Sequence, residues 1–173
     1  MEFKLDSVYD QAAVTAMARA LRKTVRKKHS RRSHIFGWII VVVALLLSFL
    51  PGEDGFSVTF KTVVTWLAAL MILVTLLFED AINGYFARKR ALAGTERTAT
   101  TFGPEGYHSV NAAGETLWSY ANVKAVAETG NYLVFILNVN HAQVYDKRTI
   151  SGGTEAEFRK FLLEVTGQPV QYI

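Results

Sequence analysis

The chain has 173 residues, of which 50% are apolar, and it contains 19 Lys and Arg, 15 Asp and Glu, and no cysteine. The length suits one domain, or one small domain with an appendage, and the apolar fraction excludes a disordered or collagen-like chain. The absence of cysteine excludes a disulfide scaffold, a thiolate zinc site and a cysteine nucleophile.

The basic excess lies at one end of the chain. The net charge is +6 over residues 1–34, −1 over residues 35–78 and −1 over residues 79–173. Eight of the cations fall between Arg19 and Arg32, directly before a long apolar run. A cluster in this position faces an anionic membrane surface, so we predict no nucleic-acid partner.

Residues 1–34 are predicted to form an N-terminal strand and a basic juxtamembrane helix. Met1–Leu5 alternates apolar and polar residues, which favours a strand, and Ser7 and Asp10 have the spacing of a capping box. Five cations of this segment are candidate contacts to anionic lipid: Arg22, Arg26, Lys27, Arg31 and Arg32. The alternative is that the cluster only sets the membrane topology.

Two uncharged apolar runs predict a transmembrane hairpin over residues 35–78. Its spans cover about residues 35–50 and 60–78, with an external loop over residues 51–59. A helix of about 20 residues reaches about 30 Å, the thickness of the hydrocarbon core. The alternative, a buried hairpin in a soluble protein, is disfavoured because a chain of this size cannot cover two helices that are apolar all round.

The Lys and Arg residues around the hairpin predict its orientation. Eight cations precede the first span and residues 88–90 follow the second, whereas residues 51–61 carry only Lys61. The positive-inside rule then places both termini in the cytoplasm, in a multi-pass protein of the bacterial cytoplasmic (inner) membrane. Three aromatic residues are predicted to anchor the helices at the membrane interfaces: Trp38, Trp66 and Tyr85.

Beyond the hairpin we predict a helical extension and linker over residues 79–96, in which Gly94 ends the helix. A soluble domain of short strands follows over residues 97–173. The predicted strands are Arg97–Phe102, Gly106–Asn111, Thr116–Tyr120, Lys124–Glu128, Tyr132–Asn138 and Gln143–Lys147. The run Tyr132–Leu137 is apolar on both faces, so it is predicted to be central in the sheet and covered on both sides.

The chain closes with a predicted amphipathic helix. Thr154 and Glu157 form a capping box, and Phe158, Phe161 and Leu162 begin one apolar stripe that can pack on the sheet. The predicted fold class is an α+β membrane protein: a transmembrane helical hairpin with a cytoplasmic antiparallel sheet, similar to a pleckstrin-homology (PH) domain, capped by a C-terminal helix. Met1–Leu5 is a candidate strand to complete this sheet, because the predicted topology places it on the same side of the membrane.

Two runs of the C-terminal domain resemble a known family. The run from Leu117 to Phe135, with its Trp118, and the run from Ala142 to Arg159 are similar to the YcxB-like family of bacterial membrane proteins. The resemblance implies a short N-terminal segment, two spans and a C-terminal domain of this kind. It implies location and architecture, and it brings no biochemical function or catalytic residues.

The sequence contains no pattern typical of catalysis. We predict no catalytic, cofactor-binding or metal-binding residues, and the four histidines, which lack metal-ligand spacing, are predicted to be solvated. Lys147 and Arg148 precede Ser151–Thr154 at the start of the last helix, where free N–H groups attract an anion such as a lipid phosphate. The alternative is an ordinary strand-to-helix turn.

These features predict a non-enzymatic membrane protein that acts by binding a protein partner through its PH-like module. A narrower hypothesis is an immunity-type protein that binds a membrane-acting toxin. The alternative is a lipid-sensing module that binds anionic headgroups through the basic segment and the turn before the last helix. The expected partners are membrane lipids and one protein, and a homo-oligomer is left open.

Overall fold

The computed structural model describes residues 2–50 and 57–173. The helices are α1 (Gln11–Lys23), α2 (Lys27–Ser48), α3 (Phe60–Leu77), α4 (Glu79–Lys89) and α5 (Glu155–Thr166). The strands are β1 (Phe3–Val8), β2 (Arg97–Phe102), β3 (Tyr107–Asn111), β4 (Gly114–Trp118), β5 (Ala125–Thr129), β6 (Tyr132–Ile136), β7 (Ala142–Asp146) and β8 (Val170–Tyr172). Most of the predicted external loop, residues 51–56, lies outside the described residues.

The chain divides into two compact units. The sheet unit combines the N-terminal segment up to residue 27 with residues 80–173, and the hairpin unit comprises residues 28–79. The sheet unit holds all eight strands with α1, α4 and α5, whereas the hairpin unit holds α3 and nearly all of α2.

The sheet unit contains two four-stranded sheets, which confirms the α+β class. The first sheet is antiparallel with the order β1-β2-β3-β4, and the second has the order β7-β6-β5-β8. The predicted single meander is therefore corrected to two sheets. The sequence analysis also missed β8, which pairs in parallel with β5. Its three residues are too few to show an alternating pattern.

The N-terminal strand joins the first sheet, as the alternation in the sequence suggested. β1 pairs antiparallel with β2, with Phe3 opposite Phe102 and Val8 opposite Arg97. The described strand is Phe3–Val8 and continues past the predicted end at Leu5, so Ser7 lies inside it, while Met1 of the predicted strand lies outside the described residues. The helix cap is consequently Asp10, whose carboxylate accepts a hydrogen bond from the Ala13 N–H at 2.8 Å. The predicted capping role of Ser7 was wrong, because that residue continues the strand.

The second sheet is covered on both faces, which confirms the prediction for the apolar run in β6. Leu133 and Phe135 belong to one buried cluster, together with Phe158 and Leu162 of α5. The alternate residues Val134 and Ile136 belong to a second cluster with Ala13, Ala20 and Leu21 of α1. Successive side chains of a strand point to opposite faces, so one strand reaches both clusters.

The caps of α5 form as the sequence predicted. Thr154 accepts a hydrogen bond from the Glu157 N–H at 3.3 Å, and the Glu157 carboxylate accepts one from the Thr154 N–H at 2.7 Å. Gly167 ends the helix in the left-handed conformation, with φ of 66°.

Helix α4 is shorter than the sequence suggested, since it ends at Lys89 and not near residue 93. Gly94 does not cap it. The positive φ of Gly94, 88°, turns the chain toward β2, and the Gly94 carbonyl accepts a hydrogen bond from the Ala112 N–H at 3.0 Å.

The hairpin unit contains two helices that are long and apolar enough to span a membrane. Most of their large apolar side chains are exposed. Gly37 of α2 lies against Leu76 of α3, and Trp66 Nε1 donates a hydrogen bond to Ser48 Oγ at 2.9 Å. Small residues and side-chain hydrogen bonds of this kind allow apolar helices to pack closely in a bilayer.

A leucine at Gly84 should destabilise the sheet unit by forcing α4 away from α1. A Cβ atom at Gly84 would lie 2.9 Å from the Thr15 backbone nitrogen, so the two helices would have to separate. We expect Gly84→Leu to lower the free energy of unfolding by about 1–3 kcal/mol, the usual cost of overpacking. Asn83→Leu, at an exposed position of the same helix, is the matched control in thermal unfolding. Equal melting of the two variants would contradict the close packing.

Candidate functional site

The inner face of the first sheet changes from aromatic to polar along its strands. The strand register aligns three rows of residues on the inner face of the sheet. The first row is Phe3, Phe102, Tyr107 and Trp118; the second is Leu5, Thr100, Ser109 and Thr116; the third is Ser7, Thr98, Asn111 and Gly114. The aromatic row is packed into the core, whereas the two polar rows approach an open cavity.

This cavity has a volume of about 700 Å³ and lies entirely within the sheet unit. Its wall includes hydroxyl and amide side chains of β2, β3 and β4, aromatic rings of Tyr9, Trp118, His141 and Tyr145, and part of the segment after α4. The volume is in the range of small-molecule sites. The Thr100 and Ser109 hydroxyls satisfy each other at 3.1 Å, which offsets the cost of burying them.

A hydrogen-bonded cluster forms the floor between the two sheets. The hydroxyls of Tyr107 and Tyr145 both donate to Gln143 Oε1, at 2.7 and 2.8 Å. Burial raises the pKa of Tyr107 and, most strongly, that of the fully buried Tyr145. Both phenols therefore stay protonated at neutral pH and keep donating to the amide oxygen.

The two outer strands of the first sheet differ in how their edges are covered. The outer edge of β1 is closed, because Lys4 and Ser151 exchange two backbone hydrogen bonds of 3.0 and 2.9 Å. Thr149 adds side-chain hydrogen bonds to the Asp6 backbone. The opposite outer strand, β4, pairs with β3 alone, and its backbone has no other backbone partner among the described residues.

The β4 edge combines this open backbone with exposed side chains. Leu117 is 78% exposed, and every residue from Gly114 to Leu117 is exposed. The strand has neither lysine nor proline, the residues that commonly blunt free edges, and its one charge, Glu115, is bridged to His108 at 3.2 Å. The β4 edge is thus an uncovered pairing surface.

Lys147 lies in an ion-pair cluster and not in an open anion site. Its ammonium contacts Glu128 at 2.5 Å, and Arg159 binds the same carboxylate at 2.8 and 2.9 Å. Arg148 pairs with Asp146 at 2.6 Å. The N-terminus of α5 is occupied by its own cap. The structure therefore favours the ordinary turn for residues 147–154, and the predicted lipid contacts of Lys147 and Arg148 stay a prediction.

The five predicted lipid contacts of the N-terminal segment divide into two groups. Arg22 binds Asp80 at 2.6 and 2.7 Å, and Arg26 donates to the Val139 carbonyl and to Asn140. Lys27, Arg31 and Arg32 are exposed and form no ion pair with any described residue. Arg22 and Arg26 therefore bind other residues of the sheet unit. The other three cations are available to an external anion.

The three predicted interface anchors lie in different settings. Trp38 is exposed on α2, and Trp66 is half-buried in the hairpin unit, 6.0 Å from the Phe49 ring centroid. Tyr85 of α4 is exposed and packs edge-on against Phe86. Their contacts with a membrane interface stay a prediction.

Sequence reasoning treated the histidines as solvated, and three of them make specific contacts. His34 lies 2.5 Å from Glu79 in the hairpin unit, where Ser30 also donates to that carboxylate. His108 pairs with Glu115, and His141 packs edge-on against Trp118 in the cavity wall. These contacts join residues distant in the chain or on neighbouring strands, so spacing along one segment could not reveal them.

Comparison with known proteins finds one similarity, over part of the chain. Residues 102–162 match the family model described as YcxB-like protein. This match confirms the predicted resemblance over the segment that runs from the end of β2 into α5 and includes the whole β4 edge. No curated protein and no solved structure matches the chain.

Proposed function

We propose that this chain is a non-enzymatic protein of the bacterial inner membrane whose soluble domain captures a protein partner at the β4 edge. The observation that carries the proposal is the contrast between the two outer strands of the first sheet. The β1 edge is closed by backbone hydrogen bonds, whereas the β4 edge is open and presents Leu117. Open edges invite unwanted pairing, so natural proteins protect them unless they serve a partner.

The partner's binding segment would be an extended strand that pairs with β4. Added strands gain affinity from main-chain hydrogen bonds and specificity from alternate side chains. Leu117 supplies an apolar contact on the outer face of the edge, and Trp118 supplies a ring beside the cavity.

The two apolar helices support a membrane location. We propose that they span the inner membrane with both termini in the cytoplasm, because exposed cations flank them. Lys27, Lys28, Arg31 and Arg32 lie in the first turns of α2, and residues 88–90 follow α3 within about a dozen residues.

The strand order supports a PH-like architecture for the sheet unit. A four-stranded antiparallel sheet, β1–β4, is followed by the antiparallel strands β5–β7 and a C-terminal helix that packs on the core between them. The first strand of this architecture, β1, precedes the two apolar helices in the chain, whereas the other seven strands follow them. A narrower form of the proposal is that the partner is a membrane-acting toxin. A domain that two membrane helices anchor would be held close to the place where such a toxin acts.

A non-enzymatic role agrees with the way the buried polar groups of the described sheet unit are used. Glu128 is neutralised by two cations, and Gln143 is held by two phenols. The Glu128 carboxylate and the Gln143 side-chain oxygen are thus occupied by partners within the fold and are not poised for proton transfer.

Affinity purification of the full-length protein from membranes in mild detergent tests the partner proposal. We expect one protein to co-purify stoichiometrically with the wild type and to be lost from Leu117→Lys, because a lysine blunts an edge strand without disturbing the fold at an exposed position. Leu163→Lys, at an exposed position of α5, is the matched control and should retain the partner. Equal recovery from both variants would exclude the β4 edge.

A second candidate function, the sensing of anionic lipid, rests on the exposed cations of α2. We expect Lys28→Gln/Arg31→Gln/Arg32→Gln to reduce retention of phosphatidylglycerol in native mass spectrometry by about tenfold or more, since each charge near a lipid surface contributes about 1 kcal/mol. The triple variant Arg97→Gln/Lys124→Gln/Lys160→Gln removes the same charge at exposed sites of the sheet unit. Indistinguishable retention by the two triple variants would leave the α2 cluster with a topological role alone.

A further inference from the structure

The polar cavity of the sheet unit contains donors that the fold itself does not use. Gln143 is 8% exposed, and its side-chain oxygen accepts from two tyrosine hydroxyls. Because the two tyrosines hold the Gln143 oxygen, the Gln143 side-chain nitrogen points away from them. No described residue accepts a hydrogen bond from this nitrogen. Gln143 also lines the cavity. Its N–H groups are thus fixed donors beside an open volume.

A second unused group lies in the third row of the same sheet face. Ser7 is 3% exposed, and its hydroxyl has no hydrogen-bond partner among the described residues. The register places Ser7 beside Thr98, which lines the cavity. Ser7 does not itself line the cavity, so its unpaired hydroxyl is a buried polar group behind the cavity wall and not a direct ligand contact.

The charges of the cavity wall are balanced. Arg88 and Glu96 line it as one cation and one anion, and the remaining polar groups are hydroxyls, amides and the His141 ring. Neither an anion nor a cation is therefore favoured by the wall as a whole. The rings of Trp118 and Tyr145 offer flat apolar surface beside these polar groups.

We propose that this cavity binds a small uncharged molecule with a flat ring and a carbonyl oxygen that accepts a hydrogen bond from Gln143. The ring packs among the aromatic side chains, and the Thr98 and Thr116 hydroxyls in the cavity wall bind its remaining polar groups. This ligand site shares Trp118 with the β4 edge, but its main recognition group, Gln143, lies on β7 and does not take part in strand pairing at that edge.

Benzamide is a suitable probe, because it joins a flat ring to an uncharged carboxamide. The protein has three methionines, of which Met17 lines the cavity and Met71 lies in α3 of the hairpin unit. The full-length protein, labelled with ¹³C at its methionine methyl groups and held in lipid nanodiscs, is titrated with benzamide. We expect the Met17 resonance to shift saturably with a dissociation constant on the order of 10 mM, as for a fragment of this size, while the Met71 resonance stays fixed.

Variants assign the shift to the cavity. Gln143→Leu should weaken benzamide binding about tenfold, whereas Gln171→Leu, the same change at an exposed position of β8, should not. Ala91→Trp fills the cavity from an exposed wall position, so it should abolish the Met17 shift even if Gln143→Leu fails to fold. Benzoate, the anionic counterpart, should bind at least tenfold more weakly.

Three results would overturn the proposal. They are a Met17 resonance that does not respond saturably to benzamide, a response that persists in Ala91→Trp, and equal affinity for benzoate and benzamide.

Discussion

Glu128→Ala should lower the free energy of unfolding of the sheet unit by about 3–5 kcal/mol, because it removes the shared partner of two cations. The Glu128 side chain is 8% exposed and the Lys147 side chain 11%, and Arg159 binds both oxygens of the carboxylate. Without Glu128, the one ion-pair contact left to the Lys147 ammonium within residues 2–50 and 57–173 is Glu155 at 3.7 Å, which also binds Arg159. The loss therefore exceeds that of an ordinary surface ion pair.

Denaturant unfolding followed by Trp118 fluorescence measures this loss. Trp38 and Trp66 belong to the hairpin unit and are replaced by phenylalanine, so that the signal reports on the sheet unit. Glu164→Ala, an exposed glutamate of α5, should change stability by less than about 0.5 kcal/mol. A Glu128→Ala variant as stable as Glu164→Ala would show that the cluster contributes nothing to folding.

The same carboxylate predicts a loss of stability in acid. Burial by itself raises the pKa of Glu128, but the hydrogen bonds and charges of Arg159 and Lys147 outweigh burial and lower the pKa in the folded protein. A lowered folded pKa adds stability above the unfolded value of about 4.3, and that stability is lost as the pH falls through the folded pKa. Glu128→Gln should therefore lose less stability than the wild type between about pH 5 and the folded pKa.

Phe3→Ala should lower the free energy of unfolding by about 3–5 kcal/mol, although Phe3 is about 100 or more residues away along the chain from the residues it packs against. Phe3 is fully buried, opposite Phe102, and its ring centroid lies 5.0 Å from that of Phe158. The side chain thus links the first sheet to α5. Lys4→Ala changes the next side chain of β1, which is exposed, and is the matched control. Its free energy of unfolding should stay within about 0.5 kcal/mol of that of the wild type.

The same Trp118 fluorescence assay reports both variants. If Phe3→Ala unfolded at the same denaturant concentration as Lys4→Ala, β1 would not be an integral strand of the domain. This result would also contradict the contrast between the covered β1 edge and the open β4 edge, on which the proposed function rests.

Much of the local structure was predictable because it depends on short patterns. The β2 strand has the predicted bounds Arg97–Phe102, and the cap of α5 forms between Thr154 and Glu157 as expected. The two-sided burial of β6 followed from an apolar run without alternation. Each of these features is encoded within a few consecutive residues.

The candidate sites were less predictable because they are assembled from distant segments. Lys147 and Arg148 resembled an open cationic pair in the sequence. Asp146, directly before them, binds Arg148, and the buried Glu128 of β5, two strands away from β7 in the sheet, binds Lys147. The cavity combines the ends of β2, β3, β4 and β7 with the segment after α4. Pairing order decides which strand is left at an edge, and a single strand's sequence does not contain that order.

Amide hydrogen exchange of β4 tests the central claim, that the β4 edge receives a partner strand. The exchange of the full-length protein is compared with and without the partner that co-purifies with it. We predict that the β4 amides facing away from β3 become slower to exchange by at least about tenfold in the complex, while the amides of β1, already closed by residues 149–151, stay unchanged. Unchanged exchange in β4, with protection gained elsewhere on the protein, would contradict the account.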